Sequence, residues 1–285
     1  MTSQSKAGFI EVSPGVWAAI MSIIPPEGGG PNAGFILAGR QVVVVDSLIS
    51  PSMAQQMAKQ LRQVTDRAAT YLINTHGHGD HVFGNQVFSP PATIIAHKNV
   101  RDVLLSQGKA MVKSTAERWG GVLPDIKDTT VLPPHITYTE RMTLHLDERT
   151  VELIHAGTAH TTGDTMVYLP AEKVLFSGDI LFNHIIPPIM GSSAGWIAAI
   201  EKLEAMDIET IVPGHGFIAA KKDLGDLKRL LIELRRQVKD CFTRGLLQEQ
   251  TVKELDMPYL KWPHPERIPM GVALIYEELK KEGRR

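Results

Sequence analysis

The stretch THGHGDHVFGN at residues 75–85 constrains this chain more than any other, because it sets three histidines, one aspartate and three glycines within eleven positions. A solvated turn gains nothing from His76, His78 and His81 that Ser, Asn or Lys would not provide, so solubility does not select this set. Metal ligation does. Neutral imidazoles and carboxylates are the ligands that zinc and similar divalent metals take, and short spacing lets several of them converge on one point. Gly77 and Gly79 fit the same reading, since glycine adopts positive φ and leaves no Cβ in the way of a tight curl.

The segments around the cluster say where it sits. ATYLINT reads as a short strand running straight into it, and three later segments each bring a His or Asp to the end of an apolar strand. VELIHAGTAHTTGD delivers His160, KVLFSGD delivers Asp179 and TIVPGHG delivers His215. Sites in α/β folds form beyond strand carboxyl ends, where loops vary while the sheet fixes their origins. Gathered together, His76, His78, Asp80, His81, His160, Asp179 and His215 are more ligands than one tetrahedral ion uses. They suit two divalent ions, with zinc the expected metal and iron or manganese the alternatives. Glycines beside them, among them Gly157, Gly163, Gly178, Gly214 and Gly216, permit close approach of backbone to the site.

The remaining elements follow from periodicity. GVWAAIMSII, the Pro/Gly-rich loop PPEGGGPN and AGFILAGRQVVVVDS predict strands, the last being a hairpin with GR as its turn. Met53, Met57, Leu61 and Val64 recur at helical spacing, with Ser50 as N-cap and Pro51 in the first turn. ATIIAH predicts a strand and residues 99–130 a helix followed by a loop. MTLHL, VELIHA, TMVYLP and KVLFSGD predict successive short strands. GWIAAIEKLEAM is an amphipathic helix, residues 223–247 a long helix with leucines on one face, and a final helix runs to Lys281. No low-complexity linker interrupts this order, so one domain over residues 1–285 is expected, with a helical C-terminal extension at about 223–285.

Charge and composition exclude several classes. Lys and Arg total 30 against 31 for Asp and Glu, so no global field recruits nucleic acid or an anionic membrane. The basic run KRLLIELRRQ is broken by leucines at helical spacing and reads as a solvated helix face. No apolar run reaches membrane-spanning length. MTSQSKAGFIEV lacks the basic and apolar regions of a secretory signal, so a cytoplasmic location is expected. The single cysteine, Cys241, excludes an intramolecular disulfide and reads as a packing residue. The expected partner is a small-molecule substrate, and no feature specifies an oligomeric state.

The motif HGHGDH, followed in order by AHTTGD, SGD and PGHG, resembles the HxHxDH signature of the metallo-β-lactamase-fold hydrolase superfamily, and the likeness runs from NAGFILAGRQVVVVDS to PGHG. The run LFSGDILFNHIIPPIMGSSAGWIAAIEKL is also similar to glyoxalase-II-like and quinoprotein-associated branches. The resemblance implies an αββα sandwich of two mixed β-sheets flanked by helices. It implies that His76, His78 and His160 hold one metal, Asp80, His81 and His215 a second, and that Asp179 bridges both. The chain departs from the acyl-homoserine-lactone hydrolases, which place a tyrosine soon after that aspartate where ILFNH stands here.

The reaction so implied is attack by a metal-bridging hydroxide on a small ester, lactone or thioester, with Asp80 also orienting the nucleophile and carrying its proton. Promiscuous β-lactam opening and a mononuclear iron oxidoreductase of the persulfide-dioxygenase type remain alternatives. His184, Ile185, Ile186 and Ile189 are candidate substrate contacts, because their loop leaves the sheet just after Asp179. Thr158, Thr161 and Thr162 either orient ligands or cap a turn. Trp196 is expected to pack its helix, and Tyr259 and Trp262 either form a lid or dock the C-terminus. His97, His135, His145, His155 and His264 lack ligand spacing and are read as structural.

Overall fold

The computed structural model describes residues 8–21 and 29–283. The first seven residues, residues 22–28, which end the predicted strand GVWAAIMSII and begin the Pro/Gly-rich loop, and the last two residues therefore lie outside the described residues.

Two sheets face each other. The first has seven strands in sequence order: β1 (Gly8–Ser13), β2 (Val16–Ile20), β3 (Ala33–Ala38), β4 (Gln41–Val45), β5 (Tyr71–Ile73), β6 (Thr93–His97) and β7 (Ile136–Tyr138). Its first four strands are antiparallel neighbours, and β4 to β7 run parallel. The second sheet contains β8 (Arg141–His145), β9 (Thr150–His155), β10 (Thr165–Leu169), β11 (Val174–Phe182) and β12 (Thr210–His215), ordered β12-β11-β10-β9-β8. Only its β11–β12 pair is parallel.

Valines and isoleucines from both inner faces, including Val43, Val45, Ile73, Ile95, Val167 and Val174, form the middle of the molecule. Helices cover the outer faces. Against the first sheet lie α1 (Pro51–Val64), the short α2 (Gly79–Val82) and α3 (Asn85–Phe88), and α4 (Lys98–Trp119). Against the second lie α5 (Ser193–Ala205), α6 (Leu224–Thr243), α7 (Gln248–Glu254) and α8 (Ile268–Glu282). The arrangement is the αββα sandwich that the resemblance implied.

Local chemistry explains the element ends. The Ser50 side chain accepts from the Met53 amide at 3.4 Å with Pro51 at the first helical position, and Met53, Met57 and Leu61 turn inward. In β11 all nine residues are buried, as a strand covered by helices on one side and a sheet on the other requires. Edge strand β8 instead alternates between exposed and half-buried positions. Strands β1 and β7 were not anticipated. β1 (GFIEVS) has no clean alternation of apolar and polar residues, and β7 is three residues long with two of them exposed.

The C-terminal helices are tied on by polar as well as apolar links. Glu278 of α8 accepts from Ser192 Oγ at 3.0 Å and the Ser193 amide at 2.9 Å, at the start of α5, and it pairs with Arg235 of α6. A carboxylate at a helix N-terminus meets free amides and the positive end of the helix dipole, so this link stabilises the junction of three helices. The run KRLLIELRRQ lies on α6. Its leucines are buried, while Lys228, Arg229, Arg235 and Arg236 pair with acidic residues of the same chain.

Candidate metal centre

The parallel strands place the ligands. β4 ends one residue before Asp46 and β5 three residues before His76, while β12 ends on His215 and the β9–β10 loop carries His160. Asp179 lies inside β11 and not beyond its end. It follows Gly178, which has φ 51° and marks a break in the β11–β12 register. A Cβ on Gly178 would stand 2.6 Å from Thr75 Oγ1, and one on Gly214 would stand 2.0 Å from Asp179 Oδ1. Both positions need glycine because strand backbone passes directly against the site.

All seven predicted ligands come together, in two groups. In the first, His160 Nε2 lies 2.9 Å from His78 Nδ1 and 3.2 Å from Asp179 Oδ2, and His76 Nε2 lies 3.6 Å from the same carboxylate oxygen. In the second, His81 Nε2 is 3.2 Å and His215 Nε2 is 3.6 Å from Asp179 Oδ1. Asp80 Oδ2 is 3.3 Å from His215 Nε2 and 3.8 Å from His81 Nε2. Donors about 2.0–2.1 Å from a tetrahedral ion stand roughly 3.3 Å apart, so these spacings suit one ion per group. Asp179 offers one oxygen to each.

The donor atoms also lack other partners. His76 Nε2, His81 Nε2 and Asp179 Oδ1 are buried without a hydrogen bond, a costly condition that a cation at each position would relieve. The electrostatics agree. Burial depresses the His76 imidazole and lowers that of His78 to about 4, favouring the neutral, ligating form. Burial acts the same way on His81, but Asp179 and Asp80 outweigh it and raise His81 well above the ordinary histidine range. A positive charge is therefore drawn to the position between the two aspartates. Burial would raise Asp80 and Asp179, yet the surrounding imidazoles hold both well below the usual carboxylate range.

Outer groups orient the ligands. Asp46, buried at the end of β4 with φ 58°, accepts from His81 Nδ1 at 2.9 Å, leaving Nε2 to face the site. It also accepts from Thr75 N at 2.8 Å and Thr75 Oγ1 at 2.7 Å, and Thr75 Oγ1 lies 3.1 Å from His76 Nδ1. Burial raises the Asp46 carboxyl, opposed by His81 and Thr75. Sequence reasoning overlooked Asp46. Its signal was present, since VVVVD ends an apolar strand on an aspartate just as the other ligand segments do.

Asn32 secures the far side by donating from Nδ2 to the carbonyls of Pro213 at 2.9 Å and Gly216 at 2.8 Å, while His215 Nδ1 meets the Gly29 carbonyl at 3.2 Å. Trp196 does more than pack its helix. It is fully buried, donates to the Ile180 carbonyl at 2.8 Å and sets its ring edge-on to His160 at 5.1 Å. Phe182 stacks on His215 at 4.6 Å. Thr161 acts as a local cap, bonded to Asp164, whose carboxylate also receives the Ala159 amide.

The loop after Asp179 corrects one expectation. Ile185, Ile186 and Ile189 are buried in the layer between the second sheet and the C-terminal helices, with Ile189 against Gly271 of α8. Apolar side chains gain more from that burial than from a polar cleft. His184 turns to Asp226 at 3.8 Å and to the Trp262 ring at 5.2 Å, and is half-exposed. From this loop it is Pro188 that reaches the cleft over the metal centre. That cleft, of about 360 Å³, is lined by Asp80, His215, Ile49 and Gly79 at the site, by Arg118, Trp119, Val122 and Leu123 at the end of α4, and by Glu266, Arg267 and Met270 near α8. Tyr259 and Trp262 dock against the helix layer, and the residues just after them supply one wall.

Cys241 is buried and takes a hydrogen bond from Arg244, and His97 caps α4 through the Asn99 amide. Both stand away from the donor cluster, as expected. Among the described residues no helix is long and apolar enough to cross a membrane.

Comparison with known proteins agrees with this geometry. The family model for the metallo-beta-lactamase superfamily matches residues 26–215. Curated relatives include the 2,4-dinitroanisole O-demethylase subunit alpha of Nocardioides sp. (strain JS1661), 28% identical over 64% of this chain and 51% of that protein. A linear primary-alkylsulfatase of Pseudomonas sp. (strain ATCC 19151) is 21% identical over 78% of this chain and 49% of its own length. A metallo-beta-lactamase type 2 of Bacteroides fragilis is 25% identical over 69% and 74%. The chain thus spans about half the length of the first two. Among solved structures, a stereoselective inverting sec-alkylsulfatase from Pseudomonas sp. superposes with a TM-score of 0.74 at 16% identity, covering 95% of this chain and 50% of that one. A metallo-beta-lactamase from Pontibacter korlensis gives 0.62 at 16% identity over 79% and 99%.

Proposed function

The chain belongs to the metallo-beta-lactamase superfamily, and from that premise we propose that it is a dinuclear metal-dependent hydrolase of a small ester, lactone or thioester. The observation that carries the reading is the pair of donor groups sharing Asp179, with His76 Nε2, His81 Nε2 and Asp179 Oδ1 buried and unpartnered. His76, His78 and His160 would hold one ion, Asp80, His81 and His215 the other, and Asp179 both. Zinc is the metal best matched to this nitrogen- and oxygen-rich, cysteine-free set. Held there, two such ions would supply a water of near-neutral pKa and Lewis-acid stabilisation of charge developing on the attacked group.

The chain's own residues do the rest. Asp80 lines the cleft and is half-buried, so it can reach a substrate, and its depressed pKa keeps it an ionised acceptor able to orient the nucleophile. Asp46 and Thr75 fix the rings of His81 and His76, and Trp196 backs His160, so the ligands need little rearrangement. The cleft of about 360 Å³ admits a small molecule. The relatives' names cover a demethylase subunit, an alkylsulfatase and a beta-lactamase, so kinship alone does not choose the bond.

The test is a panel of small esters, lactones, thioesters and one cephalosporin offered to the zinc-loaded protein, with a chelator control and metal analysis of protein purified without added metal. Hydrolysis of a carboxylic ester, lactone or thioester, lost on chelation and restored by zinc, is expected. Absence of turnover with two ions bound overturns the reading, and faster cephalosporin opening replaces it with the β-lactam alternative. Iron at one equivalent would favour the oxidoreductase. Asp80→Asn should keep the fold by circular dichroism yet lower turnover by about 10²–10⁴, the range typical of a positioned general base.

A further inference from the structure

The cleft above Asp80 and His215 carries two cations that the fold does not use for pairing. Arg118 stands in the last turn of α4 and Arg267 immediately before α8, on elements far apart in sequence, and both line this one cleft. Neither forms an ion pair among the described residues, whereas Arg229, Arg235, Arg236 and Arg244 each meet a carboxylate of this chain. Arg267 donates from Nη1 to the Ile186 carbonyl at 3.0 Å, which engages one of its five N–H donors. Arg118 lies 5.2 Å over the ring of Trp119. Glu266, the acidic neighbour on this wall, is engaged by His264 Nδ1 at 2.9 Å.

Burial pulls the Arg267 guanidinium below its ordinary value, opposed by Glu266, Asp179 and Asp80, and Arg267 stands half-buried in the same cleft as Asp80 and His215. The same cleft has much apolar lining. Trp119, Leu123 and Pro188 contribute to it, and Val122 and Met270, which also line it, are exposed large apolar side chains. A surface of this kind, apolar beside unpaired planar cations, matches a molecule that is itself apolar with one oxyanion.

The geometry points to an anion subsite formed by Arg118 and Arg267, so that the substrate of the metal centre carries a carboxylate or a sulfur oxyanion on an apolar body. This rests on the reading that the centre acts on a small molecule in this cleft. A guanidinium presents parallel N–H donors to two oxygens of such a head group, while the methylene body covers Trp119 and Met270. A neutral ester would cover the same apolar wall and leave both cations unanswered.

Titration calorimetry of the zinc-loaded full chain at low salt with hexane-1-sulfonate, hexanoate and hexan-1-ol reads this subsite without turnover. At least one anion should bind about tenfold or more tightly than the alcohol, as charge-assisted pairing implies, and the preference should weaken at high salt. The ranking of sulfonate and carboxylate identifies the head group. The double variant Arg118→Gln/Arg267→Gln should lose the preference with hexan-1-ol affinity unchanged, and Arg267→Lys should keep part of it. Arg118→Gln alone, at an exposed position, must lose part of it whatever the fold of the Arg267 variants. Anion binding that is equal in parent and variants, or no preference of the parent for either anion, overturns the proposal. The hydrolase reading fails by a different observation, absence of turnover across the panel of esters, lactones, thioesters and cephalosporin extended to anionic esters, which leaves these affinities untouched.

Discussion

Replacing Asp46 by Asn separates ligand orientation from ligand identity, because Asp46 is not among the donors yet holds one of them. Its Oδ2 accepts from both His81 Nδ1 at 2.9 Å and Thr75 Oγ1 at 2.7 Å, and its Oδ1 accepts the Thr75 amide at 2.8 Å. An amide keeps only one acceptor oxygen. Whichever way the substituted side chain turned, its NH₂ would face a donor inside a fully buried pocket. Losing one charge-assisted hydrogen bond costs about 1.5–3 kcal/mol. At about 1.4 kcal/mol per decade this is roughly 10–150-fold in metal affinity, in line with the ~10–100-fold expected for partners of ligating histidines. The loss should fall mainly on the Asp80–His81–His215 group, with a smaller effect on the other through Thr75 and His76. Competition of the metal-free protein against a chromophoric chelator resolves the two equivalents. Two equivalents retained at parental affinity would refute the argument.

Gly214→Ala would place a methyl 2.0 Å from Asp179 Oδ1 and 2.8 Å from the Asp179 amide, so β11 must shift, and overpacking of this kind costs about 1–3 kcal/mol. The expected outcome is a lower melting temperature together with weakened binding of both ions, checked by calorimetry with and without zinc. In the metal-free protein His78 should stay neutral until about pH 4, against 6.5 for a free histidine, as read by imidazole NMR. Between those values the unfolded chain binds the extra proton, so this group's contribution to stability is present above about pH 6.5 and lost as pH falls towards 4. Melting curves of metal-free His78→Asn should therefore decline less steeply over that window than those of the parent.

Much of this was legible in residues 75–85 and three later strand ends, because ligand chemistry demands rare residue types at tight spacing and strand periodicity says which edge they reach. The superfamily and the sandwich followed from the same motifs, while the narrower glyoxalase-II-like branch draws no support from the relatives described above. Asp46 escaped because one aspartate after a valine run has many ordinary explanations, and its partner His81 lies 35 residues on. The loop from His184 to Ile189 misled for a different reason. Apolar residues near a site look like a substrate pocket in one dimension, and only the packing of α6 and α8 reveals the larger apolar surface that claims them. Arg118 and Arg267 were equally hidden, since nothing local distinguishes an arginine that faces a cleft from one that faces water.

The clasp that Asn32 makes on the Pro213 and Gly216 carbonyls joins residues 181 and 184 positions apart. Closing so long a loop carries an entropic cost that no local contact offsets, so this clasp is expected to form late in folding. Until the N-terminal and C-terminal halves meet, His215 stands away from Asp80 and His81, and the second donor group does not exist. An ion that requires both groups would therefore bind the finished sandwich and not its halves, and would stabilise it by mass action, increasingly with its free concentration. Contacts that form after the folding barrier act chiefly by slowing unfolding, so slower unfolding with a little-changed folding rate is the expected outcome of loading the site with metal.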